Sequence, residues 1–520
     1  MENHGVSANR SQENQSAVPA REPKVRDVRK AFLSAGLRAT AWAAPGLARL
    51  GFVRNALVRS MENNLRRSSL RTAERGTRPA RIIEDRMEIS LAIFKTIERA
   101  LAGNRLSKAS IRGVIKNLAH DVILKKGEPT ARAAFIEAHG VRPPEILLIS
   151  PTKFCNLNCK GCYADSTAVN EKLSWPVLDR LVNEVRTLWG GRFVVFSGGE
   201  PLAYRDDGHG VMDLAESHPD VFFMMYTNGT LIDEGTARRM AGMGNLMPAI
   251  SIEGLKERTD ARRGDGVFDR IVAAMERLRR EKVLFGLSIT ATRENAEEIL
   301  SDRVIDFYFH EMGAHFAWVF QYMPIGRAIT LDLLPTPEQR LWMWKRSWEL
   351  IRERRLYISD FWNGGTAAQG CIAAGRAGGY MAVCWNGDVV PCVFMPYSPV
   401  NVNAAYADGK TLNDVWDDPF FRKVREWQIA YGYDKKYEDS KKIRNWMMPC
   451  PIRDHYEEFH PMLLKYRPKP LDENAGAAMD DPDYRRGIIE YNRAVADLLD
   501  PIWQREYMNP DHKISPKEPG

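Results

Sequence analysis

The chain has 520 residues, 44% of them hydrophobic and 27% charged, enough for two to four domains and a large buried core. No stretch reaches the roughly 18 to 20 uncharged apolar residues of a membrane span, and no apolar segment with a cleavage site marks a signal peptide. The formal charge of +7 is uneven: Lys and Arg against Asp and Glu give about +13 over residues 1–145, hence about −6 for the rest.

In chain order, residues 1–25 are polar and aperiodic and are expected to be a disordered tail. Residues 26–140 read as a helical, basic N-terminal domain. From Arg29 to Met61 arginines alternate with Phe32, Leu33, Leu37, Trp42, Leu47, Leu50, Phe52 and Leu57, and Pro45 divides two short helices. A basic amphipathic segment of this kind either lies on an anionic membrane surface or packs on its own domain. Nucleic-acid binding is not expected, because no recognisable module accompanies the basic stretch. Ile89, Ile93, Phe94 and Ile97 continue the helical spacing.

Residues 141–330 alternate strand and helix. Apolar runs stand at Ile146–Ile149, Phe193–Phe196, Val221–Tyr226, Pro248–Ile252, Leu284–Ile289 and Phe316–Phe320. Helical patterns lie between them, at Trp175–Leu188, Asp233–Met243 and Asp269–Lys282. Six β-α units in order predict an α/β fold with a parallel sheet and helices outside it. A helix is predicted over Leu334–Arg355, then a hairpin: arms Tyr380–Cys384 and Val389–Val393 around the Asn386-Gly387 turn. Residues 456–520 read as a helical extension with no assignable motif.

The seven cysteines fall into two sets, 155, 159, 162 and 371, 384, 392, 450. They are too few and too clustered for a secreted disulfide scaffold and read as metal ligands in a reducing compartment. That predicts a cytoplasmic, oxygen-sensitive protein, with peripheral contact at the inner face of the membrane through 29–61 left open. Cys155, Cys159 and Cys162 follow the first strand as C-x3-C-x2-C. A structural zinc site is closed by four ligands, as is an electron-transfer 4Fe–4S cluster. Three thiolates leave one iron open to a small molecule. Polar turns follow the next strands: Gly198-Gly199-Glu200-Pro201, then Thr227-Asn228-Gly229, then Ser251-Ile252-Glu253-Gly254 with Arg262-Arg263-Gly264 behind it.

On these residues the chain resembles the radical S-adenosylmethionine enzymes. The resemblance implies a partial (β/α)6 TIM-like barrel with its site at the carboxyl ends of the strands. It implies a 4Fe–4S cluster on Cys155, Cys159 and Cys162, whose open iron binds the amino and carboxylate groups of S-adenosylmethionine. Cleavage to a 5′-deoxyadenosyl radical and hydrogen-atom abstraction follow, the cofactors carrying the hard chemistry. Gly198, Gly199 and Glu200 are the expected partners of the methionine ammonium, Asn228 and Ser251 of the ribose, and Arg263, with Arg262 as rival, of the methionine carboxylate. One departure is visible: the residue before the third cysteine, usually aromatic and packed near adenine, is Gly161.

The later cysteines extend the likeness. Cys371, Gly387 and Cys392 are spaced C-x15-G-x4-C, and Cys450 returns in Pro-Cys-Pro. Residues 331–455 thus resemble the SPASM and twitch extensions, implying one auxiliary 4Fe–4S cluster on Cys371, Cys392 and Cys450, with Cys384 as a further ligand. The second-cluster block C-x2-C-x5-C-x3-C is absent. An electron donor such as ferredoxin or flavodoxin is expected. Two substrate classes are carried forward: a lipid or hydrocarbon chain at the membrane surface, and, as the alternative, a ribosomal peptide or protein. Some sulfatase-modifying relatives have an aspartate after the hairpin cysteine; here it is Val393. A non-catalytic electron-transfer protein is the third reading, leaving the S-adenosylmethionine motifs without a purpose.

Overall fold

A computed structural model describes residues 51–74, 76, 78–116, 129–433 and 443–514. The expected tail at 1–25 and the 29–50 part of the basic segment lie outside these residues. Seven strands run parallel in chain order: β1 (Ile146–Ile149), β2 (Phe193–Phe196), β3 (Phe222–Thr227), β4 (Leu246–Ile252), β5 (Gly286–Ala291), β6 (Phe316–Gln321) and β7 (Tyr357–Asp360). Most are buried on both faces, by crossover helices outside and by the lumen packing inside, so β1 to β3 are apolar at nearly every position. All six expected strands are present, within about two residues of their predicted bounds. The seventh, Tyr-Ile-Ser-Asp, is no shorter than β1 or β2 but too polar to stand out as an apolar run.

The sheet continues past β1. The hairpin strands β8 (Tyr380–Val383) and β9 (Asp388–Val390) precede two short strands, β10 (Tyr397–Ser398) and β11 (Val400–Asn401). β8 pairs parallel with β1, Leu148 opposite Ala382, and β9 and β11 follow antiparallel. The spatial order is β11-β9-β8-β1-β2-β3-β4-β5-β6-β7. Barrel and auxiliary hairpin therefore share one ten-stranded sheet.

Helix boundaries follow their caps. The predicted Leu334–Arg355 helix is Pro337–Arg352, because Thr336 and Gln339 form a reciprocal capping box with Pro337 in the first turn. Helix Glu234–Met243 starts under the Asp233 carboxylate and stops at Gly244, φ +71°. A Cβ on Gly113 would lie 1.8 Å from the Gly244 carbonyl oxygen, so only glycine lets helix Lys108–Gly113 dock there.

Helix Ala80–Ala102 packs beside the edge strand β7 and contributes Ile82 and Ala92 to the main core. Its Asp85 is fully buried and accepts from Tyr507 Oη (2.7 Å), Thr366 Oγ1 (2.7 Å) and Arg352 Nη2 (2.8 Å). One carboxylate thus fastens the N-terminal helix, the auxiliary region and the C-terminal extension together. Among the described residues, no helix is long and apolar enough to cross a membrane.

Candidate active site

Side chains alternate along a strand, and one set faces a cavity of about 450 Å³ inside the sheet. Leu148, Val195, Met224 and Tyr226 line it from β1 to β3, Ser251, Ser288 and Thr290 from β4 and β5, and Trp318, Phe320 and Tyr357 from β6 and β7. The strand wall is mostly apolar and aromatic, its polar side chains standing on β4–β5 and at the carboxyl ends of β6 and β7.

Cys155, Cys159 and Cys162 line one end of this cavity. Their loop is laced to the following strand end: Gly199 N–H donates to Thr152 O (2.9 Å) and Glu200 N–H to Phe154 O (2.8 Å). A Cβ on Gly199 would lie 2.1 Å from that Phe154 oxygen. The close approach this glycine permits is thus to the cysteine loop's own backbone. Burial pushes the Cys155 thiol up to about 11, the neighbouring Glu200, Cys159 and Cys162 adding to it. Thiols that resist ionisation in this way hold their charge when a cation neutralises it, which suits an iron–sulfur cluster. Among the described residues no group of His, Cys, Asp or Glu is close enough for a single metal ion; a cluster spreads its thiolates over separate irons.

Glu200 is fully buried. Its carboxylate accepts from Leu202 N (3.0 Å), Thr227 Oγ1 (2.7 Å) and Asn228 N (2.8 Å), tying the β2 turn to the β3 turn. Burial raises its pKa against those donors. Asn228 turns its amide to Asn156 Oδ1 (2.8 Å) and sits 3.8 Å from Cys155 Sγ. Ser251 lines the cavity, as do Arg262 and Arg263.

The two arginines share one acceptor, which the sequence motifs did not flag. Glu253 Oε1 takes Arg262 Nη1 (2.6 Å) and Arg263 Nη2 (2.6 Å), while Oε2 is buried without a partner. Burial works against the Arg263 charge, but Glu253, and behind it Cys159 and Cys162, hold the guanidinium protonated. Arg262 also donates to Gly161 O (3.2 Å) and accepts, through its own carbonyl, the Lys160 N–H (3.0 Å). Gly161 stands at φ +61°, and a Cβ there would be 3.0 Å from the Tyr322 ring. Tyr322, at the end of β6, thus brings an aromatic ring beside the loop where residue 161 offers none. Nothing local in the sequence announces it.

Cys371, Cys392 and Cys450 line the same cavity, while Cys384 does not. Burial dominates all four thiols. The charges of Cys371 and Cys392 bear on Cys450 and that of Cys371 on Cys392, whereas Cys384 feels Asp388. Cys392 Sγ lies 2.7 Å from the Tyr380 hydroxyl. Cys384 instead closes the hairpin turn, its carbonyl accepting from Gly387 N (2.9 Å). The sequence pattern placed all four together; the fold brings three to the lumen.

Asp454, four residues after Cys450, is buried. It holds the fully buried Arg340 (Oδ1 to Nη1 2.5 Å) and accepts the Cys450 N–H on Oδ2 (3.0 Å).

The family profile of the radical SAM superfamily matches residues 149–302, and that of the SPASM iron–sulfur cluster-binding domain matches 371–443. Among curated relatives, the AdoMet-dependent heme synthase of Methanosarcina barkeri is 26% identical over 321 residues, 56% of this chain and 87% of the relative. The mycofactocin maturase MftC of Mycolicibacterium smegmatis is 28% identical over 318 residues, 58% of this chain and 78% of the relative. Among solved structures, SuiB of Streptococcus suis bound to precursor peptide SuiA superposes with a TM-score of 0.47 at 19% identity, over 57% of this chain and 70% of that one.

Proposed function

We propose that this chain, which belongs to the radical SAM superfamily and carries a SPASM domain, is an enzyme that modifies a peptide held in the barrel lumen by hydrogen-atom abstraction. Its cofactors are S-adenosylmethionine and two 4Fe–4S clusters; when bound, they supply reductive cleavage of the sulfonium and hence the abstracting radical. The chain's own part is to position and to exclude water. The Cys155–Cys162 loop is clamped between the Gly198-Gly199-Glu200 turn and helix Lys256–Arg263. We assign Gly198, Gly199, Glu200, Asn228, Ser251 and Arg263 to S-adenosylmethionine, with Arg263 and Arg262 supplying positive charge for its carboxylate.

The observation that carries the substrate class is the lumen's chemistry. Among the described lining residues, Arg262 and Arg263 are the only cations, and both, held by Glu253, are already assigned to the S-adenosylmethionine carboxylate. The relative named a heme synthase supports a second reading, a tetrapyrrole among aromatic walls. Such a substrate carries several carboxylates and would need counter-ions this wall does not offer. An apolar or aromatic peptide side chain needs none, and MftC is named as a maturase. The lipid reading rests on residues 29–61, largely outside the described region, and no relative's name supports it.

The test is anaerobic incubation of reconstituted enzyme with S-adenosylmethionine and dithionite, then with N-acetyl amides of side-chain-deuterated Val, Leu, Phe and Tyr. Deuterium in 5′-deoxyadenosine supports a peptide substrate. No 5′-deoxyadenosine refutes the radical chemistry. Deuterium uptake from none of the amides, together with turnover of an iron tetrapyrrole, overturns the peptide reading.

A further inference from the structure

The Cys155–Cys162 loop has a further clamp, outside every motif read from the sequence. It is the Gly326-Arg327 turn beyond β6. A Cβ on Gly326 (φ +68°) would lie 2.3 Å from Tyr163 O and 2.5 Å from Cys162 O, so only glycine lets the two backbones come this close. Arg327 N–H donates to Cys162 O (3.0 Å). Its guanidinium donates to Cys159 O through Nη1 (2.6 Å) and to Ser166 O through Nη2, and pairs with Asp165 (Nε to Oδ1 3.4 Å). One residue thus holds carbonyls of two of the three cysteines. Arg327 is absent from the lumen wall that the three cysteines line, so it grips the loop's backbone and leaves the lumen free. The loop has no regular secondary structure, so tertiary bonds of this kind must satisfy its backbone.

The turn is in turn held from the C-terminal extension, whose sequence carries no motif. Asn474, on helix Glu473–Asp480, donates to Gly326 O (2.6 Å). Tyr491, on helix Pro482–Ile502, donates through Oη to Pro335 O (3.1 Å). A Cβ on Gly487 of that helix would lie 2.5 Å from Leu331 Cδ1. The extension therefore backs the segment between β6 and helix Pro337–Arg352 at both ends and between. Asn474, Gly487 and Tyr491 are all absent from the lumen wall, so contact with substrate does not account for them.

We propose that Arg327 is the positioning residue of the cysteine loop and that the C-terminal extension braces it through Asn474, so that residues remote from the cofactors set how firmly the loop holds its cluster. The proposal rests on the assignment of Cys155, Cys159 and Cys162 to the S-adenosylmethionine cluster, and is independent of the substrate. The guanidinium matters as a fork: its fixed donors meet two carbonyls and a carboxylate at once, which an ammonium cannot do.

The test follows iron release to bathophenanthroline disulfonate from the full-length, anaerobically reconstituted protein. The triple Cys155/Cys159/Cys162→Ala variant identifies the auxiliary phase. Arg327→Met should speed release from the loop about tenfold, the worth of one charge-assisted hydrogen bond, and leave the auxiliary phase unchanged. It should also alter the EPR spectrum of the dithionite-reduced loop cluster. Arg327→Lys keeps the charge and should remain faster than wild type. Asn474→Ala should speed the loop phase about threefold, the worth of one neutral hydrogen bond, and carries the test if Arg327→Met does not fold. Because Asn474 acts through the turn, the double variant should be no faster than Arg327→Met alone. An unchanged loop phase, equal acceleration of both phases, or wild-type release from Arg327→Lys overturns the positioning role; additive effects of Arg327→Met and Asn474→Ala overturn the brace. A wild type with no cluster on the loop sinks the radical-enzyme reading, whereas a loop cluster indifferent to Arg327 sinks only this proposal.

Discussion

The Arg340–Asp454 pair offers a stability test whose size follows from burial. Both side chains are wholly inaccessible. Asp454 takes Arg340 through both oxygens and the Cys450 N–H besides. Removing the carboxylate with Asp454→Ala leaves a guanidinium charged, buried and without its counter-ion, which costs about 3–5 kcal/mol. Against a total of roughly 5–15 kcal/mol, that is about a fifth or more of the stability. With a denaturant slope of about 3 kcal/mol per molar, the urea midpoint should fall by more than about 1 M. The double variant Arg340→Met/Asp454→Leu replaces the pair by apolar groups and should recover most of the loss. Asp454→Asn separates the two roles: it keeps an acceptor for Cys450 but no charge, so it should lose stability yet retain auxiliary iron. Asp454→Ala should lose that iron and keep the iron held by Cys155, Cys159 and Cys162. A midpoint for Asp454→Ala within about 0.3 M of the wild type would refute the reasoning, since no buried charge can be stranded at that cost.

Each of Cys155→Ala, Cys159→Ala and Cys162→Ala should abolish 5′-deoxyadenosine formation, measured chromatographically; formation retained by any one contradicts the assignment of the loop. Reconstituted wild type should hold about eight irons and the triple variant of that loop about four. Cys384→Ala should keep all of them, whereas Cys371→Ala, Cys392→Ala or Cys450→Ala should lose about four; a Cys384 variant that loses iron would restore it as a ligand. Burial depresses His315 to about 4, with Arg105 and Arg99 adding repulsion against the Phe285 carbonyl bond. The unfolded chain takes that proton first, so stability should fall as pH drops from about 6.5 towards 4, by about 3 kcal/mol in total. His315→Asn should flatten that part of the urea-midpoint profile; an unchanged acid slope would show that another group carries it.

Much of the fold was legible because its signals are local. The alternation of apolar runs with helical patterns gave six parallel strands nearly to the residue, and Asn386-Gly387 gave the hairpin. The spacing of Cys155, Cys159 and Cys162 gave the loop. β7 escaped because Ser359 and Asp360 break its apolar run, although Ser359 faces the lumen and Asp360 anchors the Gln321 amide. What no window could show is pairing at long range. Asp454 and Arg340 are 114 positions apart. Glu253 could be seen near its arginines, but not that one oxygen serves both. Glu200 looks in sequence like a free ligand carboxylate, while the fold first spends it on the Thr227-Asn228 turn.

The least legible feature has the largest consequence. A hairpin with two cysteines at its ends reads as the start of a separate domain, attached by contacts of its own. In the fold β8 extends the barrel sheet from β1, four residues paired in register from Ile146 with Tyr380 to Ile149 with Val383. Cys155 lies six residues beyond the end of β1, and Cys384 and Cys392 flank the turn and far arm of the neighbouring hairpin. Because a sheet fixes register and spacing, shifting β8 by one residue would turn every hairpin side chain to the opposite face. The strand pairing thus holds both cysteine sets against one lumen, with Tyr380 on the shared wall and its hydroxyl on Cys392. The geometry between the two cysteine sets is therefore set in part by backbone hydrogen bonds in the core of the sheet. On the function proposed above, a substrate in the lumen would meet both sets held on one frame, as positioning a reactive hydrogen demands.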